Sequence, residues 1–150
     1  MAYLRIWIHV VWSTKNREPL LNSIELRQRL FQHIAENAAS KSIYLDCLNG
    51  SCDHVHALVS LGPDQTISKI AQLLKGESSH WMNQEDHIHR KFEWQDDYFA
   101  NSVSDSAIGQ IRLYIKNQEE HHRKRSFSEE CGEFMNLHGF SENPADRLKG

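Results

Sequence analysis

The stretch Asp53-His54-Val55-His56-Ala57-Leu58-Val59-Ser60 has the composition of a buried β-strand. Side chains alternate across a strand with a period of two, so His54 and His56 are predicted to point to the same face. Val55 and Ala57 then take the opposite face, where they can pack beneath a layer of helices. Two imidazoles on one face are compatible with half of a metal site, but a surface or hydrogen-bonded role fits these two residues alone at least as well.

The residues before this strand predict a hairpin and, further back, a helix. Residues 42–49 have strand character, and Gly50-Ser51 is a tight turn signal that favours an antiparallel pair. Residues 23–40 show helical spacing, with Ser23 as the candidate N-cap. Residues 4–13 alternate between apolar and other side chains, which predicts a first strand. If this strand pairs alongside the histidine strand, His54 lies close to the middle of the sheet.

The residues after the histidine strand continue the alternation of helices and strands. Thr66 can cap a helix that reaches about residue 83, residues 86–97 are predicted to be a loop, and residues 98–103 form a short fourth strand. Ser104 then offers the N-cap of a helix that runs to about residue 120. This order predicts an α+β fold: a ferredoxin-like antiparallel sheet with helices on one face and an added C-terminal helix that carries Tyr114.

Composition limits the class of protein without identifying it. The chain has 150 residues, of which 39% are hydrophobic and 25% charged, as in an ordinary soluble domain. Its three cysteines are an odd number without disulfide spacing, so we expect a cytoplasmic protein with reduced thiols. We expect no membrane span, because no apolar run is long enough, and no signal peptide, because Arg5 and His9 interrupt the first alternating segment. A net charge of −3 means that nucleic acid would have to bind at local basic patches.

The last long helix carries the second candidate motif. Tyr114 and Gln118 are four residues apart and therefore neighbours on one helix face, beside a packing stripe of isoleucines. A tyrosine beside such a stripe is usually a half-buried packing residue. If a metal binds His54 and His56, zinc is compatible with two imidazoles, whereas an added Gln carbonyl and phosphate oxygens favour Mg²⁺ or Mn²⁺.

Several basic side chains and one aromatic ring are candidates for contacts with a nucleic acid. Basic groups at loops and on the polar side of a helix can bind phosphates, and an indole can stack on a base, although a solvated surface uses the same residues. The candidates are Lys15, Arg17, Lys69, Lys75, Trp81, Arg123, Lys124 and Arg125.

The two motifs together are more specific than either alone. Asp53-His54-Val55-His56 with Tyr114-Ile115-Lys116-Asn117-Gln118 resembles the HUH single-tyrosine transposases of the insertion-sequence 200/605 type and their REP-associated relatives. Residues 10–19, 74–79 and 94–104 also resemble family segments in the same order. Gly50-Ser51-Cys52 departs from the more apolar lead-in of many relatives. The resemblance implies a transposase domain at residues 1–125, and it does not extend to residues 126–150, for which we expect a short helix and a loose end.

The resemblance implies an activity, a metal and a partner. In the family, a tyrosine attacks single-stranded DNA at hairpin-bearing element ends and leaves a 5′-phosphotyrosine that can be rejoined to a new end. Carried onto this chain, Tyr114 would be the nucleophile, and His54, His56 and Gln118 would hold the divalent metal, Mg²⁺ or Mn²⁺. The family works as a homodimer, so the resemblance implies that Tyr114 completes a site in trans.

Two other functions are compatible with the same residues. A domesticated protein that binds or processes DNA hairpins without transposition would keep the fold and the four residues. A small zinc hydrolase would instead use His54, His56 and a remote histidine such as His9.

Overall fold

The computed structural model describes residues 3–84 and 87–118, which form one antiparallel sheet and the helices that cover it. The elements in chain order are β1 (Trp7–Ser13), α1 (Ile24–Ser40), β2 (Tyr44–Gly50), β3 (His54–Ser60), α2 (Ile67–Gln84), β4 (Phe99–Val103) and α3 (Ile108–Lys116). The predicted ferredoxin-like α+β arrangement is confirmed.

The histidine strand lies inside the sheet. The strand order is β2-β3-β1-β4, and every neighbouring pair is antiparallel. In the β1–β3 register, Ser13 is opposite His54 and Val11 is opposite His56. β3 therefore has a hydrogen-bonded neighbour on both sides, which holds its two imidazoles at fixed positions.

The first two helices cover one face of the sheet and enclose the main core. Ser23 caps α1, since its side chain accepts a hydrogen bond from the Leu26 backbone N–H, and Thr66 accepts one from the Lys69 N–H at the start of α2. The apolar stripes of both helices pack against the alternate residues of β1 and β3 that face them. The buried strand residues of this core are Ile8, Val10, Trp12, Val55, Ala57 and Val59.

The opposite face carries α3 and the histidines. Ile108, Ile111 and Ile115 bury the apolar stripe of α3 against Leu58 and Val103 in a second, smaller cluster. Because the side chains of β3 alternate, Leu58 shares its face with His54 and His56, and α3 covers that face. The prediction that the two imidazoles point away from the main core is therefore confirmed.

Several element boundaries differ from the predicted ones. β1 begins at Trp7, and Leu4 and Ile6 before it are exposed. A 3-10 turn, Asp105–Ala107, separates Ser104 from α3, and Ser104 makes no side-chain cap hydrogen bond. α3 ends at Lys116 because Asn117 leaves the helical conformation, with φ −95° and ψ 23°.

The predicted division at residues 125 and 126, and the short helix expected beyond it, lie outside the described residues. Within residues 3–84 and 87–118, none of the helices has the length and apolar character needed to cross a bilayer.

Candidate active site

His54 and His56 are buried, at 0% and 2% exposure, so the surface role that their spacing alone favoured is wrong. Their ring centroids are 5.0 Å apart, and both rings lie on the face covered by α3. Burial of two imidazoles is costly unless hydrogen bonds or a ligand satisfy their nitrogens. The contacts of each ring therefore indicate what it can bind.

His54 is oriented by the residues just before it. Its Nδ1 lies 2.8 Å from Asp53 Oδ1 and 2.9 Å from Ser51 Oγ. A carboxylate at Nδ1 stabilises the proton on that nitrogen, as the carboxylate partner of a metal-binding histidine does. The lone pair of the neutral ring then lies on Nε2, which points toward α3.

Gln118 meets His54 from the end of the tyrosine helix. Its Oε1 lies 3.1 Å from His54 Nε2, and its Nε2 donates to the Tyr114 carbonyl at 3.2 Å. Gln118 is fully buried. Asn117 has non-helical φ and ψ and separates Gln118 from α3, whereas Gln118 is itself helical.

Tyr114 lies over the second histidine. Its ring centroid is 5.5 Å from that of His56 and 6.1 Å from that of His9, both in edge-on arrangements. Tyr114 is half-buried, so its side chain is accessible from outside. The fold thus brings Tyr114, His54, His56 and Gln118 of one chain together.

The donor set fits a divalent cation at one point. With the His54 proton on Nδ1, the lone pair on Nε2 faces the amide oxygen of Gln118, which is also an acceptor. A cation between this nitrogen and this oxygen would be stabilised by both. The histidine and amide ligands are compatible with Mg²⁺ or Mn²⁺ when phosphate oxygens complete the set.

The sequence predicts a functional role for His9 only in the zinc hydrolase alternative. His9 Nε2 lies 2.9 Å from His56 Nδ1, and His9 is fully buried. The two nitrogens are within hydrogen-bond distance of each other. The described residues contain no group of three or more His, Cys, Asp or Glu placed to hold a metal. The alternation of β1 predicts which side chains share a face with His9. Its contact with His56 depends on how β1 pairs with β3.

Comparison with known proteins assigns most of the chain to a family. Residues 2–118 match the family described as "Transposase IS200 like".

This chain belongs to the IS200-like transposase family.

Individual relatives support the same assignment. The ISDra2 transposase TnpA of Deinococcus radiodurans is 27% identical over 117 residues, which cover 75% of this chain and 83% of that protein. A crystal structure of a provisionally assigned transposase from Deinococcus radiodurans R1 superposes with a TM-score of 0.63 at 26% identity, covering 78% of this chain and 93% of that one. The REP-associated tyrosine transposase bound to a REP hairpin shares the fold, with a TM-score of 0.54, 13% identity, and coverage of 79% and 67% of the two chains.

In this IS200-like transposase, three contacts hold α3, the helix that carries Tyr114, against the sheet of the same chain. Arg112 makes two hydrogen bonds of 2.8 Å to the Asp46 carboxylate, and its guanidinium lies 5.8 Å from the centre of the Trp7 ring. Asn49 Nδ2 donates to the Lys116 carbonyl at 3.0 Å, at the end of α3. Because the Arg112–Asp46 pair has two hydrogen bonds, it fixes the orientation of α3 relative to β2 as well as the distance between them. The position of Tyr114 therefore depends on β2 as well as on β3.

Four of the basic residues predicted to contact DNA lie within the described residues, and two of them line one groove. Lys15 and Lys75 line a groove between α2 and residues 91–98, where Lys15 pairs with Glu93 at 3.1 Å and this hydrogen bond raises the pKa of the lysine. Arg17 and Lys69 are exposed elsewhere. The predicted contacts at Arg123, Lys124 and Arg125 lie outside the described residues.

Trp81 is already occupied by imidazoles of its own chain. Its ring stacks on His33 with centroids 4.7 Å apart and lies 4.2 Å from the ring of His87. Both contacts use the ring on which a base would stack, and base stacking at Trp81 stays a prediction.

Proposed function

We propose that this protein is a metal-dependent transposase that cleaves and rejoins single-stranded DNA through Tyr114. The observation that supports the proposal most directly is the meeting of a half-buried phenol with a buried pair of imidazoles and an amide oxygen. The ring of Tyr114 lies 5.5 Å from that of His56, and Gln118 Oε1 lies 3.1 Å from His54 Nε2. Neither pair is close in sequence, and the tertiary fold brings them to one point.

The reaction requires a nucleophile beside an activated phosphate. The Tyr114 hydroxyl oxygen attacks phosphorus, the bond from phosphorus to the 3′ oxygen breaks, and the departing 3′ oxygen takes a proton while tyrosine loses one. A phenol has a pKa near ~10, so it ionises as it attacks. A divalent ion held by His54, His56 and Gln118 would polarise a non-bridging phosphate oxygen.

The product keeps the energy of the broken bond in a phosphotyrosine. Attack by a second 3′-hydroxyl on that phosphorus restores Tyr114 and joins two DNA ends. We propose a single strand with hairpins at its ends as the substrate, and the REP hairpin bound by a transposase of the same fold supports this choice. The His54–Asp53 contact supports the reaction by keeping Nε2 available to the metal.

Trapping the covalent adduct tests the proposal. The protein is incubated with Mg²⁺ or Mn²⁺ and labelled single-stranded DNA from the element ends that flank its gene, and a labelled band that survives denaturation reports the adduct. We expect the band with the natural protein and none with Tyr114→Phe. An adduct of equal yield in Tyr114→Phe would overturn the assignment of the nucleophile, and hairpin binding without any adduct would favour a binding protein that does not cleave.

We further propose that the protein is a homodimer. The contact of Tyr114 with His56 in one chain supports a site in cis, whereas a site in trans requires α3 to leave the Arg112–Asp46 pair. Mixing Tyr114→Phe with His56→Ala decides between them. A recovered adduct indicates completion in trans, and no recovery from a mixed dimer indicates cis.

A further inference from the structure

A groove of about 570 Å³ lies between α2 and residues 91–98. This volume is in the range of roughly 300–1,000 Å³ typical of ligand pockets. The groove is lined by α2 on one side and by the segment that precedes β4 on the other. Its polar side chains include amides and hydroxyls as well as charged groups, and Tyr98 contributes an aromatic ring.

Lys75 differs from the other two lysines of the groove because its hydrogen bonds go to backbone carbonyls, although the charges of Asp96 and Asp97 also act on it. Lys15 and Lys91 both pair with Glu93, at 3.1 and 2.8 Å. Lys75 Nζ instead donates to the backbone carbonyls of Asp96 and Asp97, at 2.8 and 3.2 Å. An ammonium has three donors, and two are directed at these carbonyls. The Asp96 carboxylate also lines the groove, and burial lowers the pKa of Lys75.

A glycine in the middle of α2 leaves part of the groove wall without a side chain. Gly76 is exposed and lines the groove, and a Cβ placed there would meet nothing within 4 Å. Glycine is among the least favourable residues in a helix interior, and no close packing within the described chain explains it here. A glycine does, however, allow the backbone of a ligand to approach a helix closely.

The groove lies on the α2 side of the sheet and borders the end of β1 that pairs with His54. Residues 13–15 are bonded to residues 93–95: the Gln95 N–H donates to the Ser13 carbonyl at 2.8 Å, and the Lys15 N–H donates to the Glu93 carbonyl at 3.0 Å. Ser13 is the β1 partner of His54. A DNA strand would therefore pass around this end of the sheet, from the histidine face, to reach Lys15 and the groove.

We propose that this groove binds one or two unpaired nucleotides of a single-stranded DNA segment, with a phosphate beside Lys75 and Lys15 and the sugar-phosphate backbone against Gly76. The inference rests on the proposed function, because it names a second contact for the same DNA. A single strand fits better than a duplex, since an unpaired base can reach the Tyr98 ring and the amide groups, whereas a duplex keeps its bases stacked inside.

Filling the groove tests the inference. Gly76→Leu places a side chain in the groove, and Gly109→Leu is the matched control, because Gly109 is also an exposed helical glycine with nothing within 4 Å of a Cβ, but it lies outside the groove. Fluorescence anisotropy measures the affinity for a labelled mixed-sequence 12-nucleotide single strand and for its duplex. We expect Gly76→Leu to lower the affinity for the single strand tenfold or more without changing the affinity for the duplex. Gly109→Leu should change neither affinity. Unchanged binding by Gly76→Leu, or an equal loss on the duplex, would overturn the inference.

A second variant keeps the inference testable if Gly76→Leu does not fold. Lys75→Gln should reduce the slope of log affinity against log salt by about 0.7 for a single strand, the value for one phosphate contact. An unchanged slope would count against the groove. The adduct assay separates the two proposals: groove binding without an adduct overturns strand transfer alone, and an adduct with binding insensitive to both variants overturns the groove alone.

Discussion

His9 Nε2 lies 2.9 Å from His56 Nδ1, and both imidazoles are buried beneath the helix that carries Tyr114. A hydrogen bond at Nδ1 sets which His56 nitrogen is available to a metal and holds the ring in place. We predict that His9→Phe, which keeps a ring but removes the nitrogens, slows adduct formation by about 10–100-fold, as loss of a supporting hydrogen bond typically does. The melting temperature, measured in parallel, should change little, and a normal adduct rate would show that His9 only fills space.

Gln118 should control the affinity for the cation. Gln118→Ala removes the amide oxygen 3.1 Å from His54 Nε2, and we predict weaker Mn²⁺ binding by isothermal titration calorimetry without DNA. Gln118→Glu replaces that oxygen by a carboxylate, a stronger ligand for a hard cation, and should bind Mn²⁺ more tightly than the natural protein. Equal Mn²⁺ affinity in the natural protein, Gln118→Ala and His54→Ala would show that the cation binds elsewhere.

Gly50 is required by close backbone packing in the hairpin. A Cβ at Gly50 would lie 2.1 Å from the His54 carbonyl oxygen, so the backbone beside the first histidine would have to move. We predict that Gly50→Ala destabilises the protein by about 1–3 kcal/mol, as overpacking does, and reduces adduct formation as well.

Gly109→Ala is the control for that change. The alanine Cβ would meet nothing within 4 Å, and alanine is more favourable than glycine in a helix, so Gly109→Ala should stabilise the folded protein by up to about 1 kcal/mol. Urea unfolding of both variants checks the pair, and equal stability of the two would contradict the packing argument.

The Arg112–Asp46 pair should keep the tyrosine helix in position. Arg112→Gln removes the bidentate contact between α3 and β2, and we predict faster amide hydrogen exchange in α3 and a lower rate of adduct formation. Exchange in α1, on the other face of the sheet, should not change. If exchange in α3 is also unchanged, the remaining apolar contacts of the helix are sufficient to hold it.

Cys47 should be an unreactive thiol. Burial and then the charge of Asp46 raise its pKa from 9.0 to about 11, so the thiolate is scarce at neutral pH. Because the folded pKa exceeds the unfolded one, this group favours the folded state below about pH 9, and that contribution is lost as the pH rises toward 11. We predict slow alkylation of Cys47 at pH 8 in folded protein and fast alkylation in urea. Fast alkylation in both would contradict the burial.

The sequence by itself determined the elements and the faces of the strands. Alternation placed His54 and His56 together because a strand has a period of two, and capping residues such as Ser23 and Thr66 marked where helices start. These features depend on local geometry, which a sequence pattern records directly. The pairing of a His-x-His strand with Tyr114 and Gln118 was also visible, through the resemblance to a family.

Only the tertiary structure decided what surrounds those residues. Burial of the imidazoles, the contact of His9 with His56, and the position of Gln118 beyond the end of α3 depend on which strands pair and on which face a helix packs. The groove beside Gly76 depends on how residues 91–98 pack against α2. These contacts join residues far apart in the chain, and their free energy comes from packing and long-range hydrogen bonds, which local periodicity does not encode.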